Sequence, residues 1–462
     1  MRNPLPMYQT LNPATEELIQ TYPVLSDSEK DVRVKNAREA FLLWRQQSLS
    51  KRCAFVKKLG KLLYKRKTEL ARIMTLEMGK VITEAEHEIG KCILGVEYYT
   101  KNAAKILKEE VFKTQARKSY VRYDPLGVIL GIMPWNFPFW QVLRFALPAL
   151  LSGNVVLLKH APNVPLSALT IEKLFREAGF PQGVFQTLFL TNESAAQLIA
   201  SSGVDGVSLT GSSRAGAEVA AVAGRALKKT VLELGGSDPF IVFADADLKK
   251  TIPVALKSRM LNAGQSCIAA KRFIVHEKRA DDFETAFLKS IQGIKVGDPT
   301  LSETQMGPLA RQDLLENLMR QVKESAGQGA KIKTGGQCMS LGTGKGFFYK
   351  PTLLTDVKPG MIPFQEEIFG PVASIIHVRS EEEAIELANQ TSYGLGASLW
   401  TRDIPRAEKI ARQIEAGSVF INGMVKSDPR LPFGGIKKSG YGRELSAIGM
   451  HEFVNVKTVW VE

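Results

Sequence analysis

Between residues 27 and 110 apolar positions recur every three to four residues, and the pattern predicts helices throughout. The first stretch, DSEKDVRVKNAREAFLLWRQQ, opens on Ser and Asp suited to a helix cap. Past KSYVRYDPLG the rhythm changes: GVILGIMPW and NVVLLKH are short, nearly continuous apolar runs. Such runs suit parallel strands buried on both faces. They alternate with the helical patterns FWQVLRFALPALL and PLSALTIEKLFREAG. VFQTLF, a helix over 193–201, GVSLTG, a helix over 213–227 and TVLELGG continue the series. Strands and helices trading places at these intervals predict a doubly wound α/β sheet of the dinucleotide-binding type.

A second α/β set begins near SDPFIVFADADL and runs through RFIVHE, ASIIHV, GASLWT and GSVFING. It predicts a second domain with its own sheet. The closing HEFVNVKTVWVE alternates apolar and polar residues as a strand does. A strand of that kind either pairs with another subunit or remains a plain edge. The chain shows no internal repeat, low-complexity segment or long linker.

Composition narrows the class. With 462 residues, 44% of them apolar and 23% charged, a sizeable core is expected. MRNPLPMYQTLNPATEEL lacks the apolar centre of a secretory signal. The longest apolar run, FPFWQVLRFALPALL, is broken by Arg144 and Pro148, too short and too interrupted to span a bilayer. No membrane association is expected. The four cysteines (Cys53, Cys92, Cys267 and Cys338) lie far apart, which argues against a disulfide framework or zinc site and suits a reducing cytoplasm. None of the five histidines sits at metal-ligand spacing, so no metal is expected. The net charge of +14 invites a nucleic-acid reading. Yet its densest run, KKLGKLLYKRK, interleaves with Phe55, Val56, Leu59, Leu62 and Leu63 at helical spacing, so its lysines form a solvated face. No nucleic-acid motif accompanies it, and attraction of an anionic substrate or phosphorylated cofactor accounts for the charge equally well.

Three residues could carry chemistry. Cys267, in LNAGQSCIAAKRF, follows Gly264, which permits a sharp turn that would expose the thiol. A small buried cysteine is the competing reading. Asn136 is fixed between aromatics and prolines in GIMPWNFPFW, where its amide could donate to an oxyanion. Glu233, ending the apolar strand of VLELGGSDP beside a glycine pair, would be partly desolvated, as suits a general base. Each of these two has a purely structural alternative.

Taken together, PWNFP, LTGS, LELGG, GQSC, EEIFGP and PFGG stand in order from residue 134 to residue 435. In that order and spacing the chain resembles the aldehyde dehydrogenase superfamily, from NPATEE near the start to PFGGIKKSGYGRE near the end. The resemblance implies two doubly wound α/β domains, one cofactor-binding and one catalytic, plus a small β oligomerisation arm. Its implied boundaries are 1–106 and 126–235 for the NAD(P)-binding domain, 236–433 for the catalytic domain, and 107–125 with 450–462 for the arm. It also implies a homodimer or homotetramer. The implied chemistry starts with attack of the Cys267 thiolate on an aldehyde carbonyl. Asn136 and the Cys267 backbone N–H stabilise the oxyanion, and hydride leaves for the nicotinamide of NADP or NAD. Glu233 then activates water to hydrolyse the acyl thioester. Cofactor contacts carried over are Lys159 for the adenosine ribose, Gly211 and Ser212 at a helix N-terminus for the pyrophosphate, and Glu367 with Phe369 for the nicotinamide ribose. Met133, Pro134, Trp135, His160, Pro162 and Leu234 complete that set.

Two departures stand out. Many NAD-preferring relatives carry a glutamate three residues after the ribose lysine; here that position is Pro162, so repulsion of a 2′-phosphate is lost. Ser237 follows LELGG where many relatives have lysine. LKHAPNVP, LELGGSDPFIV and FINGMVKSDPRLPFGG look most like the succinate-semialdehyde dehydrogenase branch. The likeness assigns Arg144, Ser427 and Phe433 to substrate binding, Arg144 as the fork for a distal carboxylate, with a helix-surface ion pair as its structural alternative. A second arginine of some relatives is missing: Leu261 stands there, and the nearest arginine is Arg259. Other or broad aldehyde specificity is the alternative, followed by a CoA-acylating relative and a non-catalytic member. Retention of Cys267, Asn136 and Glu233 argues against the last two.

Overall fold

The computed structural model of the chain describes residues 7–342 and 344–462; the first six residues of the expected cofactor-binding segment lie outside that range. Four sheets organise these residues. The helical region resolves into Asp27–Trp44, Leu49–Lys65, Lys67–Met78 and Ile82–Ile106. The first begins at Ser26, whose hydroxyl accepts the Glu29 backbone N–H while the Glu29 carboxylate reaches back to Ser26. A reciprocal cap of this kind is worth about 1 kcal/mol. On Leu49–Lys65 the buried residues include Val56, Leu59 and Leu63, and Lys51, Lys57, Lys58, Lys61 and Lys65 are exposed. The basic run is a solvated face.

One sheet has six strands, ordered Gly440–Tyr441, Lys229–Glu233, Gly206–Thr210, Val128–Met133, Val155–His160 and Phe185–Thr187. All but the first pair in parallel, and the central strands are buried along nearly their whole length. Burial on both faces is why the hydrophobic runs are continuous. The antiparallel Gly440–Tyr441 was not expected: the chain returns from the second sheet to lie beside Glu233 and Leu232. The second sheet has seven strands, ordered Lys331–Thr334, Thr352–Thr355, Val372–Val378, Ala270–His276, Asp238–Val242, Gly396–Trp400 and Ser418–Ile421. Only Lys331–Thr334 runs antiparallel.

Val454–Val461, Lys118–Pro125 and Glu110–Phe112 form a separate antiparallel sheet, with Val111, Phe112, Val456 and Trp460 exposed on it. The N-terminal hairpin Met7–Asn12 with Glu17–Pro23 was also unexpected. Its first strand buries Tyr8 and Thr10 alternately, while the second is almost wholly exposed. No helix among the described residues is long and apolar enough to cross a membrane.

Candidate active site

The parallel strands of the six-stranded sheet end on one side, and the turns there carry most of the motifs. Val128–Met133 runs out into Pro134–Pro138, and the helix Trp140–Leu151 follows. That turn is held from beneath. Glu88 accepts the backbone N–H groups of Phe139 and Trp140 at 2.9 and 3.0 Å. Its other oxygen pairs with Lys80, whose ammonium also donates to the Asn136 carbonyl at 2.9 Å. Both Lys80 and Glu88 are buried, so the ion pair acts with little solvent screening. The Asn136 amide donates one N–H to the Gln265 carbonyl at 3.0 Å, leaving the second for another acceptor.

Cys267 arrives from the other sheet. Asn262, Ala263 and Gly264 are all left-handed, with φ of 55°, 52° and 73°. Left-handed geometry costs a residue with a Cβ roughly 1–2 kcal/mol. Asn262 is held in it by its own amide, which donates to the carbonyls of Asn136 and Gln265 at 2.9 and 3.1 Å. At Gly264 a Cβ would collide with the Gly370 carbonyl. The Cys267 loop and the Asn136 turn are therefore built against each other. Lys271 closes the loop from behind, donating to the carbonyls of Ser266 and Cys267 at 2.9 and 2.8 Å. Its ammonium also faces Glu367 at 3.3 Å. Arg259 donates to the carbonyls of Ile368 and Gly370, so the arginine nearest Cys267 in the chain is committed to backbone.

Cys267 is half-buried on the wall of a cavity of about 360 Å³. Asn136, Trp135, Leu234, Glu367 and Phe369 share that wall, with Gly211 and Ser212 at its rim. Burial pushes the thiol up to about 12, the positive charges of Lys271 and Arg144 opposing only in part. The cysteine is neither exposed nor already ionised. No acceptor among the described residues takes its backbone N–H. Trp135 and Phe369 meet edge to face with centroids 5.8 Å apart. Gly235 lets Glu367 come close, since a Cβ there would strike its carboxylate.

Glu233 is 2% exposed, and neither carboxyl oxygen has a hydrogen-bond partner among the described residues. Desolvation first, then the charge of Glu444, raises its pKa well above the carboxylate range. Its carboxyl lies against Gly434 rather than on the cavity wall.

Arg144 departs from its expected role. It is not on the helix surface but buried, ion-paired to Glu444, with its guanidinium 4.7 Å from the Phe433 ring centroid and donating to Thr210 at 3.3 Å. Phe433 is buried beneath it rather than lining the cavity. Ser427, also buried, accepts from Lys91 at 2.6 Å and from Trp140 Nε1 at 3.1 Å. Glu444 and Lys91 were missed: each stands far along the chain from its partner, and no local pattern marks it. Arg311 and Leu314 on the cavity wall are in the same position.

The cofactor residues divide. Lys159, next to last on Val155–His160, is buried, and desolvation alone lowers its ammonium to about 8. Ser212 caps the helix Ser213–Arg225 by accepting the Ala215 N–H, and Gly211 precedes it. Pro162 is exposed, its carbonyl accepting the Gln9 N–H at 2.9 Å. Met133 is buried at the strand end. His160 cannot serve as a side-chain contact for a cofactor. Its ring is fully buried, with Nδ1 accepting the Ala161 N–H at 2.9 Å and Nε2 facing the Pro138 carbonyl at 3.0 Å. Burial lowers its pKa to about 4, so the ring is neutral and braces the Asn136 turn.

Comparison with known proteins agrees with this architecture. The family model described as aldehyde dehydrogenase family matches residues 2–459. A protein of Synechocystis sp. named probable succinate-semialdehyde dehydrogenase [NADP(+)] is 51% identical over 452 residues, covering 98% of this chain and 99% of its own. Succinate-semialdehyde dehydrogenase [NADP(+)] 1 of Mycobacterium tuberculosis is 47% identical over 455 residues, with 98% and 99% covered. The crystal structure of succinic semialdehyde dehydrogenase from Streptococcus pyogenes, in complex with NADP+, superposes with a TM-score of 0.96 at 39% identity, covering 98% of this chain and 99% of that one. The chain belongs to the aldehyde dehydrogenase family.

Proposed function

We propose that the protein oxidises succinate semialdehyde to succinate, with NADP or NAD as hydride acceptor. The observation that carries this reading is the meeting of Cys267 and Asn136 in one cavity whose wall continues into Glu367 and the Ser212 helix N-terminus. The names of the similar proteins supply the substrate and favour NADP.

The residues present fit a nicotinamide dinucleotide. Lys159 is a desolvated ammonium with no acceptor among the described residues, suited to ribose or phosphate oxygens. The Ser212 helix N-terminus suits a pyrophosphate. Glu367 and Phe369 border the cavity near Cys267, where a second ribose and the nicotinamide would lie. Pro162 leaves no carboxylate to repel a 2′-phosphate. When bound, the dinucleotide supplies the acceptor for the hydride.

Cys267 gives up its proton to water in the cavity, and its sulfur bonds to the aldehyde carbon. The second Asn136 N–H and the Cys267 backbone N–H donate to the oxygen as it becomes negative. A neutral amide stabilises that charge without holding it, which suits an oxyanion that must later collapse. Cys267 then carries the acyl group as a thioester. Glu233, its carboxyl free of hydrogen bonds, turns toward the thioester and takes a proton from water, which cleaves the bond and releases the acid. Its raised pKa requires the carboxyl to ionise first, so turnover should rise with pH. We also propose that the three-stranded sheet, with its exposed apolar residues, joins copies of the chain into a dimer or tetramer.

Reduced-nicotinamide absorbance with purified protein tests the reading. Turnover of succinate semialdehyde well above that of propanal is expected, with NADP at least as good as NAD. Equal or better turnover of propanal would remove the substrate assignment, and no hydride transfer from any aldehyde would remove the reaction.

A further inference from the structure

We propose that Lys271 is a positioning residue linking Glu367 to the Cys267 loop. It holds the Glu367 carboxylate in the free protein, and a ribose that draws this carboxylate away leaves the ammonium facing Cys267 alone. The inference deepens the oxidation reading above and rests on it.

Lys271 stands on the strand Ala270–His276, four residues after Cys267, and its side chain is 1% exposed. Its Nζ donates to the carbonyls of Ser266 and Cys267 at 2.9 and 2.8 Å and lies 3.4 Å from that of Ala269. An ammonium has three donors. Two are committed to the loop, and the third is divided between Ala269 and Glu367 Oε1, the latter at 3.3 Å. The Glu367 contact is loose, and giving it up does not unseat the loop.

Glu367 is built to make that exchange. Its backbone is pinned, since its carbonyl accepts from Gln321 Nε2 at 3.2 Å and the next carbonyl, of Ile368, from Arg259 at 3.0 Å. Its side chain is held less firmly. Oε1 also accepts the Gly236 N–H, again at 3.2 Å, and Oε2 has no hydrogen-bond partner among the described residues. The carboxylate shares the cavity wall with Cys267. Two adjacent ribose hydroxyls offer it two donors, where the protein offers one backbone N–H and a shared ammonium.

The charges around Cys267 show what the exchange does. Lys271 and Arg144 favour the thiolate, while Glu367 and Asp238 oppose it. Arg144 is paired with Glu444, and Arg259, which faces Lys271, donates to backbone carbonyls. Asp238, on the neighbouring strand, is buried with one oxygen accepting the Gly396 N–H at 3.1 Å, and burial raises it to about 7. It lies off the cavity wall, whereas Glu367 stands where a ligand reaches it. Of the two opposing carboxyls, Glu367 is thus the one that cofactor binding can move.

Alkylation of Cys267 by iodoacetamide at about pH 8, read by peptide mapping, tests the link without turnover. The probe is ADP-ribose 2′-phosphate, which carries the second ribose but no nicotinamide, so it brings no positive ring and leaves the thiol uncovered. Adenosine 2′,5′-bisphosphate, which lacks that ribose, is the control. Calorimetry sets the saturating concentration for each protein. In the wild type the probe should speed alkylation about tenfold, as one unit of thiol acidity does, and the control should not. Lys271→Met should bind the probe and lose the acceleration. Glu367→Gln, which leaves the loop carbonyls bonded to Lys271, should react about threefold faster than wild type without ligand and gain nothing from the probe. Three results would each overturn the role of Lys271 and leave the oxidation reading intact: a wild type that binds the probe without acceleration, a folded Lys271→Met that keeps it, or an unchanged ligand-free rate in Glu367→Gln. A wild type that does not bind the probe would overturn both.

Discussion

Replacing Arg144 with Met should destabilise the protein in a pH-dependent way, because Arg144 is the counter-charge for two buried carboxyls. Glu233 and Glu444 are 2% and 5% exposed, and both are pushed upward by desolvation. Arg144 opposes that push on each and pairs directly with Glu444. Removing one partner of a buried ion pair costs about 3–5 kcal/mol. An unfolding entropy of about 2.1 cal/mol/K per residue, over 462 residues, makes about 1 kcal/mol per degree. The thermal midpoint of Arg144→Met should thus fall by about 3–5 °C at about pH 8. Without the guanidinium both carboxyls have folded-state pKa values above their unfolded ones. Such groups add stability at low pH and lose it as pH rises through the folded value. Each unit of pH between the folded and the unfolded Glu444 values recovers about 1.4 kcal/mol, so the deficit should be smaller at about pH 6 than at about pH 8. Adding Glu444→Gln to Arg144→Met should recover most of the loss at the higher pH. Calorimetric scans at one rate, on all three proteins at both pH values, decide the matter. A midpoint for Arg144→Met within about 1 °C of wild type at about pH 8 would refute the reasoning, as would an equal deficit at both pH values.

Three further outcomes follow from the site. With Cys267 pushed up to about 12 by burial, its alkylation by iodoacetamide in the free protein should rise about tenfold per pH unit from about pH 7 to about pH 9. Peptide mapping separates it from exposed Cys338, and a plateau near pH 8 would show that desolvation does not control the thiol. Pro162→Glu puts a carboxylate three residues after Lys159. At about 6 Å and an effective dielectric of about 20 its repulsion of a 2′-phosphate is about 2–3 kcal/mol, so the NADP to NAD ratio of kcat/KM should drop about 30–100-fold. At Gly434, with φ of 151°, a Cβ would sit 2.6 Å from Glu233 Oε1. Gly434→Ala should leave a rapid burst of reduced cofactor and slow the steady state at least tenfold in stopped-flow traces; an unaltered steady state would mean Glu233 does not act from this position.

The two parallel sheets can be read along the chain because strands buried on both faces leave unbroken apolar runs, as in Val128–Met133 and Val155–His160. The N-terminal hairpin is harder to read: Glu17–Pro23 buries almost nothing, so no periodicity marks it. Gly440–Tyr441 is two residues long and is set by where the chain returns, which no local pattern encodes. In the site, Cys267, Asn136 and Glu233 stand inside short motifs, and their residue types already suggest their chemistry. The state of Arg144 does not show in its surroundings, because its partner lies 300 positions away at Glu444. Burial of His160 is similar: its ring serves Ala161 and Pro138, neighbours whose approach depends on the turn having formed.

That histidine bears on how the protein meets changing acidity. The turn presenting Asn136 leans on an imidazole that stays uncharged down to about pH 4, since gaining a proton would mean ionising inside the core. The histidine's hold on the turn is therefore the same in mildly acid and mildly alkaline surroundings. Across that span the histidine contact on the Asn136 turn adds no inflection of its own.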